Sequence, residues 1–183
     1  MLVNNYTREF FDKFYESENP WKQNGLNAYC SIKKFLPSID MGFTAAEIGS
    51  GEGVVSYHLL NNFKHLHCCE ISKVASDRAK ELLKGIEGVD ILCCDFVEAK
   101  LPVVDYIIAQ NVLYYSDYRD DYKKCIKKLN EATGKNSMII IMESFLANKK
   151  QIYSFKPDNF ELLIYEKHAE GGGFGIWIWK KIE

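Results

Sequence analysis

Short apolar runs alternate along the chain with segments in which apolar residues recur every three or four positions. Such runs are typical of buried strands, and the spaced pattern is typical of helices with one buried face. The runs predict strands at 43–48, 65–70, 89–96, 106–109 and 137–142, followed by an antiparallel hairpin of 159–166 and 174–182. The spaced segments predict helices at 54–60 and 72–84, and a third whose buried face is Tyr118, Tyr122, Ile126 and Leu129 and which stops at Gly134.

Two helical segments precede the first predicted strand. Residues 6–16 carry aromatic side chains with a helical period, and a second helix is predicted from Asn24, its N-cap, to Leu36, just before Pro37. The aromatic residues of this region could cover a bound ligand as a lid or pack as ordinary core. We expect the core role for Phe10, Phe11 and Phe14, whereas Tyr15 and Trp21 are candidates for the lid.

A glycine-rich turn joins the first predicted strand to the helix after it. Gly49, Gly51 and Gly53 follow the acid Glu47 with Gly-x-Gly-x-Gly spacing, which differs from the Gly-x-Gly-x-x-Gly spacing of dinucleotide-binding proteins. Glycine can adopt positive φ and allows a ligand to approach the backbone closely. We also expect the amides at the start of the helix to point at the ligand.

Acidic residues end the next two predicted strands. Glu70 lies 17 residues after Gly53, where one carboxylate can accept hydrogen bonds from both hydroxyls of a ribose. The alternative is a charge at the start of a helix, because Ser72 is a candidate N-cap. Asp95 ends the third predicted strand. It could contact a ligand there, or it could be a solvated residue at the start of a loop.

Composition narrows the classes of function. The 183 residues fit one domain, and a net charge of −2 gives no reason to expect a nucleic-acid partner. No apolar run approaches the roughly 18 residues of a membrane span. The cysteines lack metal-site spacing and are expected to be buried free thiols in a reducing cytosol, which predicts a cytoplasmic protein. We expect no metal site, and we interpret His65 and His67 as structural.

The glycine turn, the acids after it and the order of the elements resemble class I S-adenosylmethionine (SAM)-dependent methyltransferases. This resemblance implies an α/β, Rossmann-like fold: a seven-stranded, mostly parallel sheet with a C-terminal antiparallel hairpin and helices on both faces. Residues 1–183 would form one domain, with 1–40 a helical lid and 41–183 the core. The cofactor would be SAM, with Glu47 receiving its amino group, Glu70 its ribose and Asp95 its adenine. The full set implied for the cofactor is Glu47, Gly49, Ser50, Gly51, Gly53, Glu70, Ile71, Asp95, Phe96 and Gln110, with Tyr15 and Trp21 from the lid.

The segment from Tyr15 to Trp21, together with the residues that follow the fourth strand, is similar to NodS-like methyltransferases. Those enzymes methylate an amino group of a sugar-derived acceptor, so the implied acceptor is a small-molecule amine. The chain departs from that family at Asn111, where the family usually carries glutamate. An amide cannot take a proton as a carboxylate can. The candidates for catalytic or acceptor-binding roles are Asn111, Tyr114, Tyr115 and Glu143.

The sequence is also compatible with two other functions. The chain could be a catalytically inactive methyltransferase fold that serves as a partner subunit, which the departure at Asn111 would allow. It could also be an NAD-dependent dehydrogenase on a similar fold. The glycine spacing and the Asp95-Phe96 pair weigh against the dehydrogenase.

Overall fold

The computed structural model of the chain describes residues 6–22, 24–113, 115, 122–144, 159–168 and 173–183. Within these residues the strands are β1 Thr44–Ile48, β2 His65–Glu70, β3 Val89–Cys93, β4 Val104–Gln110, β5 Thr133–Ser144, β6 Phe160–His168 and β7 Phe174–Lys181. The α-helices are α1 Arg8–Phe14, α2 Gly25–Ile32, α3 Val54–Leu59, α4 Lys73–Leu82 and α5 Tyr122–Glu131. None of these helices combines the length and the apolar character that crossing a membrane requires.

The strands form one sheet in the order β3-β2-β1-β4-β5-β7-β6. Strands β1 to β5 are parallel, and β7 runs antiparallel to both of its neighbours, β5 and β6. This arrangement confirms the predicted mostly parallel, seven-stranded sheet and its C-terminal antiparallel strands. The carboxyl ends of β1 to β5 lie along one edge of the sheet, where ligands bind in folds of this kind.

The sheet is covered on both faces. On one face, Leu129 of α5 packs with Ile107 and Ile139 of the sheet. On the other face, Ile32 of α2 and Leu59 of α3 are fully buried against the sheet. Each fully buried aliphatic side chain of this size contributes roughly 1.5–3 kcal/mol to folding, so these contacts fix the sheet edge that carries the candidate site.

The helix starts follow the predicted caps. The side chain of Asn24 accepts a hydrogen bond from the backbone N–H of Asn27, and Ser72 does the same for Ala75. Helix α2 ends earlier than predicted, and a 3-10 turn at Lys33–Phe35 carries the chain on toward Pro37.

The predicted C-terminal end of the helix between the fourth and fifth strands is wrong. Helix α5 ends at Glu131, and Gly134 belongs to β5, which begins at Thr133. The Thr133 hydroxyl donates to the carbonyl of Leu129 at 2.6 Å, so a side chain closes the helix without a glycine. Tyr118 on the predicted face of this helix lies outside the described residues.

Two expectations about burial need correction. Phe11 is buried as expected, but Phe10 on the same helix is 41% exposed and Phe14 is only partly buried. All six cysteines are free thiols, and Cys30 is exposed rather than buried. One helix cannot bury every side of an aromatic stripe, so α1 leaves some of its rings at the surface.

Candidate functional site

The glycine turn after β1 passes close to neighbouring chain segments. Gly49, Gly51 and Gly53 have φ of +68°, +55° and +80°, a region that side chains disfavour. A Cβ on Gly49 would lie 2.6 Å from a methyl carbon of Val112, just past β4. The turn therefore needs glycine both for its backbone conformation and for its close approach to the loop after β4.

Four amides of this turn, which precede the start of α3 at Val54, donate to groups inside the protein. The N–H groups of Gly49 and Ser50 both donate to the carbonyl of Cys69, at 2.8 and 3.1 Å. Gly51 donates to the Glu70 carboxylate, and Gly53 donates to the Ser50 carbonyl. These hydrogen bonds hold the turn in its conformation.

Glu47 is a buried acid at the end of β1. Its carboxylate accepts a hydrogen bond from the hydroxyl of Ser56 in α3. Burial raises the pKa of Glu47 to about 7, and the nearby negative charge of Glu70 also contributes. The carboxylate would gain from a positively charged ligand group, because such a group offsets both the burial and the repulsion.

Glu70 lies at the end of β2 and is also buried. One carboxylate oxygen accepts from the N–H of Gly51 and the other from the N–H of Ser72, each at 2.8 Å. The helix-start contact and the glycine-turn contact therefore coexist. Burial raises the pKa of Glu70. The N–H of Ile71 also interacts with the carboxylate, which has about four acceptor sites, so the side chain can still accept a hydroxyl donor. Ile71 beside it packs in the cluster that α1 covers.

Asp95 and Phe96 lie just beyond β3. Asp95 accepts a hydrogen bond from the N–H of Val97 at 3.2 Å and caps a 3-10 turn that starts at Phe96. The Phe96 side chain is buried in the core between the sheet and α5. Asp95 is half-buried at the same sheet edge as Glu47 and Glu70, which is the position that a loop at a ligand site requires.

Two buried side chains at the carboxyl ends of β1 and β4 carry polar atoms that have no hydrogen-bond partner among the described residues. They are the amide of Gln110, both its nitrogen and its oxygen, and the hydroxyl of Ser50. Gln110 ends β4 and Ser50 lies just past β1, the strand paired with β4. A buried polar group without a partner costs about 1–3 kcal/mol, so three such atoms at one edge indicate a place for a ligand.

Asn111 and Glu143 connect the ends of β4 and β5. Asn111 adopts φ +52°, and its side-chain oxygen accepts from the N–H of Ser144 at 2.7 Å. Glu143 is fully buried, and one of its oxygens accepts from the N–H groups of Val112 and Leu113 at 3.1 and 2.9 Å. Both side chains thus hold the loop after β4. Their catalytic roles stay predictions.

Aromatic rings lie beside the loop after β4. The Tyr115 ring centroid is 4.9 Å from that of Tyr6 and 5.1 Å from that of Phe11. Tyr114, the other candidate from this loop, lies outside the described residues. Tyr115 therefore forms part of a wall that includes α1.

Helix α1 lies over the carboxyl edge of the sheet. Tyr15 just after it is buried, and its hydroxyl accepts a hydrogen bond from the Trp21 indole N–H at 3.0 Å. Asp12 accepts from the hydroxyl of Ser72 at 2.7 Å, and Arg8 donates to the Cys93 sulfur at 3.0 Å. The segment past β2 and the end of β3 are therefore both in contact with this region.

Sequence reasoning missed Ser56 and Asp12, which hold Glu47 and the start of α4. Ser56 lies on the first turn of α3, so it could have been placed facing back toward β1 from helical spacing alone. Asp12 has no local signal, because its partners Ser72 and Val74 are about 60 residues away.

A family profile described as "Methyltransferase domain" matches residues 46–139. Among curated protein sequences, no significant match was found. The matched segment begins at β1 and ends in β5, so it contains the glycine turn, Glu47, Glu70, Asp95 and Gln110.

Solved structures resemble the chain over most of its length. It is similar to the N-methyltransferase NodS from Bradyrhizobium japonicum, with 14% identity, a TM-score of 0.72, and coverage of 91% of this chain and 99% of that one. It is also similar to 1,6-didemethyltoxoflavin-N1-methyltransferase from Burkholderia thailandensis, crystallised with 1,6-didemethyltoxoflavin and S-adenosylhomocysteine (SAH): 12% identity, TM-score 0.74, and 96% and 87% coverage.

A third similar chain comes from the complex between the Haloferax volcanii Trm112 methyltransferase activator and a putative methyltransferase. Its identity is 10%, its TM-score is 0.76, and the match covers 97% of this chain and 98% of that one. At such identities the likeness of the structures shows a shared fold.

Proposed function

Since the chain belongs to the SAM-dependent methyltransferases, we propose that it transfers the methyl group of SAM to an amine of a small molecule. The observation that carries the proposal is that buried polar atoms of Gln110 and Ser50, at the glycine turn, have no hydrogen-bond partner within the described part of the chain. Glu47 and Glu70 lie along the same edge at the ends of β1 and β2, and Asp95 lies there just beyond β3.

These residues fit SAM by their chemistry. Glu47 suits the ammonium of the methionine part, because a buried carboxylate is stabilised by a cation. Glu70 retains acceptor capacity for the ribose hydroxyls, and Asp95 can accept from the adenine amino group. The glycine turn lies among these acids, and the absence of side chains on Gly49 and Gly51 lets Val112 and Tyr15 approach its backbone closely.

Bound SAM supplies a methyl group on a positively charged sulfur, and the acceptor nitrogen forms the new C–N bond as the C–S bond breaks. The protein's main task is to align the two partners, which can lower a barrier by roughly 7–11 kcal/mol. Gln110 and the loop after β4 are placed to do this, because that loop is fixed by Glu143 and Asn111.

The hydrogen bonds of the Glu143 carboxylate agree with an amine acceptor. Glu143 is fully buried and accepts two backbone N–H groups of the loop, so its geometry favours a positioning role. A neutral amine attacks through its lone pair without first losing a proton, whereas a hydroxyl requires a base. An acceptor that is already neutral needs little beyond alignment.

The aromatic wall supports an acceptor with a flat or apolar body. Tyr6, Phe11 and Tyr115 present rings beside the loop after β4. Helix α1 carries part of this wall, and the contact of Asp12 with Ser72 joins it to α4. We propose that the segment containing α1 acts as a lid that excludes water. Protection of this segment from proteolysis should increase when SAM or SAH is added.

The test is a turnover assay with SAM and pairs of acceptors that differ only in carrying an amine or a hydroxyl, such as amino sugars, aryl amines and their hydroxyl counterparts. We expect SAH to form with amines alone, with a mass gain of one methyl group in the product. Turnover of the hydroxyl acceptors but not of their amine counterparts would contradict an amine acceptor.

Calorimetry together with the turnover assay distinguishes an active enzyme from an inactive partner subunit. An enzyme should bind SAM and SAH and turn over an acceptor. A chain that binds SAM but turns over no acceptor, and becomes active only with a second protein, would support the subunit. No binding of SAM or SAH would contradict the assignment of the site to this cofactor.

A further inference from the structure

Two histidines and an aspartate converge at the end of the sheet opposite the candidate methyl-transfer site. His65 and His67 lie on β2 two residues apart, so their side chains share one face of the strand. Asp90 on the edge strand β3 is the registered partner of His67. His65 starts β2 and Glu70 ends it, so at ~3.3 Å per residue His65 lies about 17 Å and His67 about 10 Å along the strand from Glu70.

The three side chains direct their polar atoms at one point. Nε2 of His65 is 2.9 Å and Nδ1 of His67 is 3.1 Å from the same carboxylate oxygen of Asp90. The two imidazole rings are 4.6 Å apart between centroids. All three candidate ligand atoms lie within 4.8 Å of one another. Parallel pairing of β2 and β3 holds this arrangement, because both strands are fixed by their backbone ladder.

The two nitrogen–oxygen separations are close to those of a metal site. Ligand atoms about 2.0–2.1 Å from a tetrahedral Zn²⁺ lie about 3.3 Å from one another, a few tenths of an ångström more than the two nitrogen–oxygen contacts observed here. Small rotations of the exposed Asp90 and of the His65 ring would provide the difference, since their side chains are 51% and 37% exposed.

From this geometry we propose that His65, His67 and Asp90 bind a divalent transition-metal ion, with Zn²⁺ the best match. Two imidazole nitrogens and one carboxylate oxygen form a mixed ligand set that suits Zn²⁺, Ni²⁺ or Co²⁺. Mg²⁺ and Ca²⁺ prefer oxygen ligands and are not expected to bind. The three protein ligands leave a fourth position for water.

The bound ion links β2 to the edge strand β3. It binds the folded protein and not the unfolded chain, so it raises the melting temperature. At a free metal concentration 100-fold above the dissociation constant, the shift is roughly 5–10 °C for a chain of this size. Because the cluster is at the far end of the strands from Glu70, SAM affinity should be the same with and without metal.

The chain offers a matched control for this site. His168 pairs with Glu166 at 3.3 Å, and its side chain is 38% exposed, close to the 37% of His65. This pair lacks a second histidine. The variant His168→Gln therefore removes a histidine–carboxylate pair on an edge strand without removing a convergent set of three ligands.

The experiment titrates the full chain, stripped with chelator, with Zn²⁺ by calorimetry and with Co²⁺ by absorption. We expect one ion per chain, a Co²⁺ spectrum without a thiolate-to-metal charge-transfer band, and no response to Mg²⁺. His67→Gln and Asp90→Asn should each weaken binding at least 10-fold, whereas His168→Gln leaves it unchanged. All variants should melt at the wild-type temperature in chelator, which shows that they fold.

Three results would overturn the proposal: no binding of Zn²⁺ or Co²⁺, equal binding by wild type and His67→Gln, or a thiolate band in the Co²⁺ spectrum that persists in His67→Gln. The last two would assign the ion to cysteines or to another surface group. Should His67→Gln fail to fold, Asp90→Asn gives the same decision, because Asp90 is mostly exposed.

Discussion

The hydroxyl of Tyr15 lies in the space that a side chain on Gly51 would need. A Cβ built on Gly51 would lie 2.9 Å from that oxygen. Tyr15 comes just after α1 and Gly51 is the centre of the turn after β1, so this contact joins the proposed lid to the proposed cofactor cradle. The burial of Tyr15, which raises the pKa of its phenol, keeps the hydroxyl protonated and able to donate a hydrogen bond here.

The change Gly51→Ala should weaken SAM binding at least 10-fold and lower the melting temperature. Two causes add: the positive φ costs about 1–2 kcal/mol for a residue with a Cβ, and the Cβ contacts the Tyr15 hydroxyl. Calorimetry with SAH and a thermal melt measure the two effects.

Gly42→Ala separates these causes. Gly42 has φ +69°, and a Cβ there would meet nothing within 4 Å. It should lose stability by the backbone cost alone and bind SAH as the wild type does. Equal SAH affinity in Gly51→Ala and the wild type would contradict the placement of the cofactor at this turn.

The buried acid Glu47 should make stability depend on pH. Its pKa in the folded chain is about 7, against 4.5 for an ordinary glutamate, so between these values the folded state holds a proton that the unfolded state has lost. The free energy of unfolding should therefore fall as the pH rises from 4.5 to 7, by up to about 3 kcal/mol, and then level off. Urea unfolding from pH 5 to 8 should show a steeper decline in the wild type than in Glu47→Gln, where only the raised pKa of Glu70 remains.

SAM binding should have the opposite dependence on pH. An ammonium ligand requires the ionised carboxylate, so affinity should rise through pH 7 in the wild type and stay low and flat in Glu47→Gln. If SAM affinity depends on pH in the same way in the wild type and in Glu47→Gln, then Glu47 does not bind the cofactor.

Gln110→Met should stabilise the ligand-free chain while weakening SAM binding. The substitution removes a buried amide whose two polar atoms have no partner among the described residues, which should raise the melting temperature by a few degrees. The same amide is lost to the ligand, so SAH affinity should fall several-fold.

Ser76→Ala is the matched control for Gln110→Met. Ser76 is fully buried in α4, and its hydroxyl also has no partner within the described part of the chain. It should show the gain in stability without the loss of affinity. A drop in SAH affinity of the same size in both variants would show that the effect is not local to Gln110.

Glu143 can be tested as a base and as a positioning residue with two substitutions. Gln retains an oxygen that can accept from Val112 and Leu113, so a positioning role predicts nearly unchanged kcat in Glu143→Gln and a large loss in Glu143→Leu. A base predicts a large loss of kcat in both. Turnover measured from pH 6 to 9 distinguishes these results.

Much of the framework could be predicted because its signals are local. The N-caps Asn24 and Ser72 carry their own hydrogen-bonding side chains, and β2 runs over the six residues that its apolar run indicates. The resemblance to methyltransferases placed Glu47 and Glu70 at the strand ends, where the structure has them.

Other features depend on partners that are distant in sequence and could not be predicted. The N–H of Gly51 donates to Glu70, 19 residues later, and that contact exists only once β1 and β2 pair. The cluster of His65, His67 and Asp90 likewise depends on the register of β2 and β3. The misplaced end of α5 has a simpler cause, since the Thr133 hydroxyl replaced the glycine that usually closes a helix.

The order of strands in the sheet has a consequence for the biosynthesis of the protein. Strand β7 is made after β6 but lies between β5 and β6. On the ribosome, β6 therefore has no neighbouring strand until residues 174–181 emerge. During that interval its backbone and its apolar side chains, among them Leu162, Leu163 and Tyr165, are open to chaperones and to other nascent chains. Strands β6 and β7 can thus join the sheet only after β7 has been translated.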